Sequence, residues 1–219
     1  MDKRVTLFAG HYGSGKTNIA VNFALKLKNG YDNVAIADLD IVNPYFRTKD
    51  SAAVLSENGI RLISSEYANT NVDVPALPAE AYAVVEDRRI RAVIEVGGDD
   101  RGALALGRYT PFLTEENDFD MFFVVNFCRP LTRTPSDAAA VMSEIETAAG
   151  IRFTGIVNNT NLGSETTAAT VEKSADTAAE LERLTGHKTV MTAVEKSISP
   201  APGTYLGELF KIQIYVKQQ

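Results

Sequence analysis

Eight consecutive residues near the start of the chain, Gly10-His11-Tyr12-Gly13-Ser14-Gly15-Lys16-Thr17, match the pattern G-x-x-x-x-G-K-[ST] in full. The chemistry open to such a stretch is phosphate binding. Glycines let the backbone curl until successive N–H groups point inward at phosphate oxygens, and a helix starting just after the loop adds its partial positive charge. The amine of Lys16 suits the bridge between β- and γ-phosphates, and the hydroxyl of Thr17 suits magnesium. All eight residues are therefore candidate nucleotide contacts, with Thr17 also a metal contact. A glycine-rich turn with a solvated lysine is the bland alternative, disfavoured because an apolar strand pattern precedes the loop and an amphipathic helix pattern follows it.

Three further stretches carry groups that such a loop needs. Asp38-Leu39-Asp40 closes an apolar run, and carboxylates spaced i, i+2 on a strand point the same way. One is suited to holding magnesium through water and the other to orienting an attacking water. Asn43-Pro44 then breaks the strand, leaving residues 45–47 as a loop able to sense the γ-phosphate. Glu95 ends another apolar run, at the place where P-loop proteins keep a second magnesium contact, although aspartate is commoner there. Gly97-Gly98 follow and permit close backbone approach. In Gly155-Ile156-Val157-Asn158-Asn159-Thr160-Asn161 a strand ends in asparagines that both donate to and accept from a purine edge. No N-K-x-D stretch is present to read guanine, so Asn158 or Asn159 facing adenine is the expectation. Each stretch also reads as ordinary turn chemistry when taken alone.

These groups must be positioned by elements whose pattern is clear. Short apolar runs alternate with stretches of helical period, which predicts an α/β fold: a mostly parallel sheet with helices on both faces. Strands are expected at residues 5–9, 34–37, 61–63, 90–96, 122–125, 155–157 and 189–191. Helices are expected from Lys16 to about Gly30 and over residues 75–88, 135–149 and 165–185. Residues 99–119 read as an irregular, partner-sensitive loop. Residues 210–216 fit a strand by alternation and a helix by the placement of Leu206, Leu209 and Phe210.

Bulk properties narrow the classes. At 219 residues a single domain, 1–219, is expected. A net charge of -6 argues against broad attraction to nucleic acid. One cysteine, Cys128, forms no internal disulfide and fits a cytoplasmic setting. No apolar run reaches the ~20 residues of a membrane span, and Lys211 and Lys217 are too few for a basic anchoring face, so stable membrane attachment is not expected. His11, Cys128 and His187 are scattered singly, which gives no support to metal carriage.

The phosphate loop, the strand-end D-L-D, the strand-end E-V-G-G and the late strand ending in asparagine together resemble the MinD/ParA/CobQ-type family of P-loop nucleotide-binding proteins, in order and across nearly the whole chain. That resemblance implies a P-loop NTPase fold, phosphate and magnesium binding by Lys16 and Thr17, support of magnesium by Asp38, positioning of water by Asp40, and adenine contact by Asn158 or Asn159. Lys16 and Asp40 are then the catalytic candidates. The family's loop reads G-K-G-G-x-G-K-T, and its early lysine reaches across a dimer to the partner's phosphate. Here that position is His11, which lacks the permanent charge of a lysine, so a homodimer is an option rather than an implication. The expected function is a slow Mg2+-dependent ATPase that binds ATP and ADP and acts as a switch for a protein partner. An enzyme passing the γ-phosphate to a small carboxylate held by Arg129 and Arg133, and a non-hydrolysing accessory module, are the alternatives.

Overall fold

Runs of four to seven residues rich in β-branched, aromatic and small apolar side chains form the strands, and in a computed structural model of the chain every pair of neighbouring strands among the described residues is parallel. Residues 3–39, 51–64, 79–97 and 100–215 are described. The strands are β1 (Val5–Ala9), β2 (Val34–Leu39), β3 (Arg61–Ser64), β4 (Arg91–Val96), β5 (Phe119–Val125), β6 (Gly155–Asn158), β7 (Thr189–Glu195) and β8 (Glu208–Ile212). They lie in the order β3-β2-β4-β1-β5-β6-β7-β8 in one eight-stranded sheet. The helices are α1 (Lys16–Lys28), α2 (Ala52–Glu57), α3 (Ala79–Glu86), α4 (Asp100–Gly107), α5 (Thr110–Glu116), α6 (Pro135–Ala149) and α7 (Ala168–Thr185).

Side chains alternate between the two faces of a strand, and the core divides accordingly. Val5, Leu7 and Ala9 of β1 join Met121, Phe123 and Val125 of β5 on one face, covered by residues of α3 to α7. Phe8, Phe122 and Val124 point to the other face, where Ile19, Phe23 and Leu27 of α1 and Leu55 of α2 cover them. Helices therefore pack on both sides of the sheet, as the sequence pattern requires.

One expectation needs correction and one ambiguity is resolved. Residues 100–116 are not irregular but form two short helices, α4 and α5, joined near Tyr109. Glycines at 102 and 107 and a proline at 111 weaken the helical pattern in sequence, yet Ala103, Leu106, Tyr109 and Leu113 all bury themselves against α3, α6 and β4. The C-terminal ambiguity resolves to a strand, with Phe210 and Ile212 of β8 buried over α1. Among the described residues no helix is long and apolar enough to cross a membrane.

Arg4 fastens the end of the sheet opposite the phosphate loop. Its buried guanidinium donates to the carbonyls of Val84, Val85 and Ile90 at 3.1, 2.8 and 3.2 Å and pairs with Glu116. Removing it leaves a carboxylate and helix-end carbonyls without their cation, so Arg4→Ala is expected to cost about 3 kcal/mol, read as a lower urea midpoint.

Candidate functional site

Strand parity decides which groups meet at the carboxyl edge of the sheet. Asp38 and Glu95 are direct neighbours in the β2–β4 register. They share a face with Ile36 and Val93, the face that α1 covers. Thr17, in the first turn of α1, donates its hydroxyl proton to Glu95 Oε1 at 2.6 Å. Glu95 is only 3% exposed. A hydroxyl that donates to a carboxylate presents its lone pairs elsewhere, which is the orientation a metal contact requires. Thr17, Glu95 and Asp38 thus form an oxygen-rich corner of the kind that suits a hard divalent cation.

The loop before α1 is shaped by lack of space. A Cβ on Gly10, whose φ is +154°, would sit 2.2 Å from the carbonyl oxygen of Val124. The loop can run this close to β5 only without a side chain. Lys16 braces the curl, its buried amine donating to Gly10 O at 3.0 Å and His11 O at 3.4 Å. Ser14 is 1% exposed, and its hydroxyl has no partner. A buried hydroxyl without a partner costs about 1–3 kcal/mol, which a bound acceptor such as a phosphate oxygen would relieve. The nest therefore fits a phosphate group. Tyr12 stands half exposed, and the His11 ring turns to the carbonyl of Tyr12 at 3.0 Å.

Two neighbouring strands grip the loop from outside. Arg129, after β5, donates its Nε to Gly13 O at 3.1 Å. Asn159, after β6, donates to Ser14 O at 2.7 Å. The two asparagines proposed for the base are separated by the same parity. Asn158 points to the α7 side, where its amide donates to Ser174 Oγ at 2.7 Å and its Oδ1 accepts from the backbone and hydroxyl of Thr160. Asn159 points to the phosphate loop. Asn126 ties the strand ends together, donating to Asn161 O and accepting from the N–H groups of Cys128 and Asn161.

A cavity of about 540 Å³ opens beside this edge, with Asn18, Asn159, Asn161, Val194, Glu195 and Ile214 among its lining residues. That volume is in the range of small-molecule sites, and the mixture of aliphatic walls and convergent amides suits a flat heteroaromatic ring. Glu195 keeps its carboxyl below the usual range because the Ser197 hydroxyl and N–H donate to it. It stands as an ionised acceptor on the cavity wall. On the other side of the phosphate loop, Gly97 directly follows β4, and a Cβ on Gly102 of α4 would lie 2.5 Å from its Cα. Contact this close joins α4 to the strand that carries Glu95.

Asp40, residues 43–47, Gly98 and Asp99 lie outside the described residues. Among the described residues no group of three His, Cys, Asp or Glu side chains forms a metal cluster. The candidate metal corner relies on the Thr17 hydroxyl, which such a grouping does not include. Local pattern suggests for Arg129 only a substrate contact, and its grip on Gly13 depends on a strand order that such a pattern does not reveal.

No known protein family matches the chain, and no curated protein resembles it in sequence. Solved structures resemble it in fold. FtsY from Mycoplasma mycoides is 15% identical over 87% of this chain and 60% of its own, with a TM-score of 0.52. Chloroplast FtsY from Physcomitrella patens is 18% identical over 72% of this chain and 49% of its own, with a TM-score of 0.48. The cell division protein FtsY from Thermotoga maritima is 17% identical over 70% and 51%, also at 0.48. The chain spans about half to three-fifths of the length of these proteins. At 15% identity the likeness to the Mycoplasma mycoides protein shows the fold alone, a parallel α/β sheet of the P-loop NTPase type.

Proposed function

We propose that the chain is a single nucleotide-binding domain that takes Mg-ATP in the loop from Gly10 to Thr17, hydrolyses it slowly to ADP, and presents the difference to a protein partner as a cytoplasmic switch. The observation behind it is the buried, unpartnered hydroxyl of Ser14 inside a glycine-shaped nest whose lysine and threonine stand at the same sheet edge as Glu95. When bound, magnesium supplies positive charge to the phosphate oxygens. Thr17 and Asp38 are its proposed holders, with Glu95 orienting the threonine; Lys16 neutralises phosphate charge, and Asp40 orients the attacking water. Asn159 is the proposed adenine contact, while Asn158 fixes the strand end beneath it. His11, turned to its own loop, adds nothing specific for a second subunit, so a homodimer stays a secondary proposal.

Phosphate release measured with and without Mg2+ tests the hydrolytic part. Turnover that needs the metal and disappears in Lys16→Ala supports it; release no greater than that variant's, with or without candidate partners, removes hydrolysis from the proposal. Glu95→Gln should weaken Mg-ATP binding by roughly tenfold or more, with little change in metal-free binding, because a neutral amide oxygen orients the threonine hydroxyl less strongly than a carboxylate and removes a negative charge beside the ion. Titrations with and without EDTA check this.

A second reading, guanine in place of adenine, has one observation in its favour. The Glu195 carboxylate on the cavity wall could accept from guanine N1 and N2 as an aspartate does elsewhere. Competition between ATP and GTP for the wild-type protein separates the two, and Glu195→Gln should weaken only GTP if guanine is read there.

A further inference from the structure

Helix α1 carries two buried asparagines one turn apart, Asn18 and Asn22, where its buried residues beyond Lys16 and Thr17 of the phosphate loop are otherwise apolar. Buried amides on a helix need a reason, since each must be fully hydrogen-bonded to offset its desolvation. Asn22 donates to Asn18 O at 2.8 Å within the helix, and the remaining partners lie 191 to 197 positions away. Asn22 accepts from Gln213 N at 2.9 Å and donates to Gln213 O at 2.8 Å, so that one side-chain amide imitates a strand neighbour. Asn18 accepts from Tyr215 N at 2.9 Å. The segment 213–215 that follows β8 therefore runs along α1 from its second turn back to its first, toward the phosphate loop.

Ile212 and Ile214 both line the cavity beside Asn159 and Asn18. Tyr215 packs against the core under α1, the cluster to which Ile212 also belongs. Ile214 is 46% exposed at the cavity wall, an isoleucine that a ring entering the cavity would cover.

From these contacts we infer that residues 213–215 form a strap, latched by Asn18 and Asn22, that walls the cavity with Ile212 and Ile214 and selects nucleosides over bare polyphosphates. The inference rests on the proposed function and deepens it. The phosphate loop holds the phosphates, and the strap supplies the surface that recognises the rest of the ligand. Because Asn18 directly follows Thr17, the latch and the phosphate contacts share the first turn of one helix.

The test compares Mg-ATP with Mg-tripolyphosphate, which carries the phosphates without the nucleoside, in wild-type protein, Asn22→Ala and Asn22→Ser. Wild-type protein should prefer ATP by at least about tenfold. In both variants that preference should collapse toward one, while tripolyphosphate binding is retained and reports an intact phosphate loop. A variant that binds both ligands as the wild type does, or that loses both in proportion, overturns the strap. Wild-type protein that binds tripolyphosphate as tightly as ATP overturns the strap and leaves the phosphate nest standing. Failure of the wild type to bind either ligand overturns both readings.

Discussion

Gly10→Ala should abolish nucleotide binding and lower stability by about 3 kcal/mol, the upper range for forcing atoms into a packed site. A methyl group there meets the backbone carbonyl of Val124 at 2.2 Å, and a strand backbone in the middle of the sheet does not yield as a flexible side chain would. Either the loop lifts off β5 or β5 shifts, and in both cases the amides no longer converge. Urea denaturation and a titration with Mg-ATP read the two effects separately. A variant that keeps wild-type affinity would show that the loop's close passage over β5 is not what shapes the nest.

Lys16→Ala should lose at least about 100-fold in Mg-ATP affinity, roughly 3 kcal/mol, as expected for removing a charge-assisted contact to phosphate. Its effect without ligand should be far smaller. The amine donates only to the carbonyls of Gly10 and His11, and neutral hydrogen bonds of that kind contribute about 1 kcal/mol. The combination is diagnostic: near-normal melting without nucleotide, and no upward shift when nucleotide is added. Equal destabilisation with and without ligand would make the lysine a structural brace alone.

The phosphate loop was legible in the sequence because its chemistry is local. Eight consecutive residues carry the glycines, the amine and the hydroxyl, and no distant strand is needed to recognise them. The alternation of short apolar runs with stretches of helical period is local too, and a parallel sheet with helices on both faces follows from it. The meeting of Thr17 with Glu95 was foreseen only as a shared role, because it depends on β4 lying between β1 and β2. Strand order is a long-range property that periodicity does not encode. The split between Asn158 and Asn159 could have been read from period-two alternation, since adjacent residues on a strand cannot both face the same ligand. Helices α4 and α5 escaped notice because glycines and a proline mask them, and packing against α6 outweighs that low propensity. Asn18 and Asn22 left a trace, two amides one turn apart on an inward helix face, but their partners lie at the far end of the chain.

The most direct test of the phosphate nest is a calorimetric titration of the wild-type chain with Mg-ATP. The arrangement of Gly10, Ser14, Lys16 and Thr17 predicts saturable heat with one nucleotide per chain. Absence of heat at millimolar nucleotide would contradict it, for then the amides and the buried serine hydroxyl would line a turn that receives no ligand.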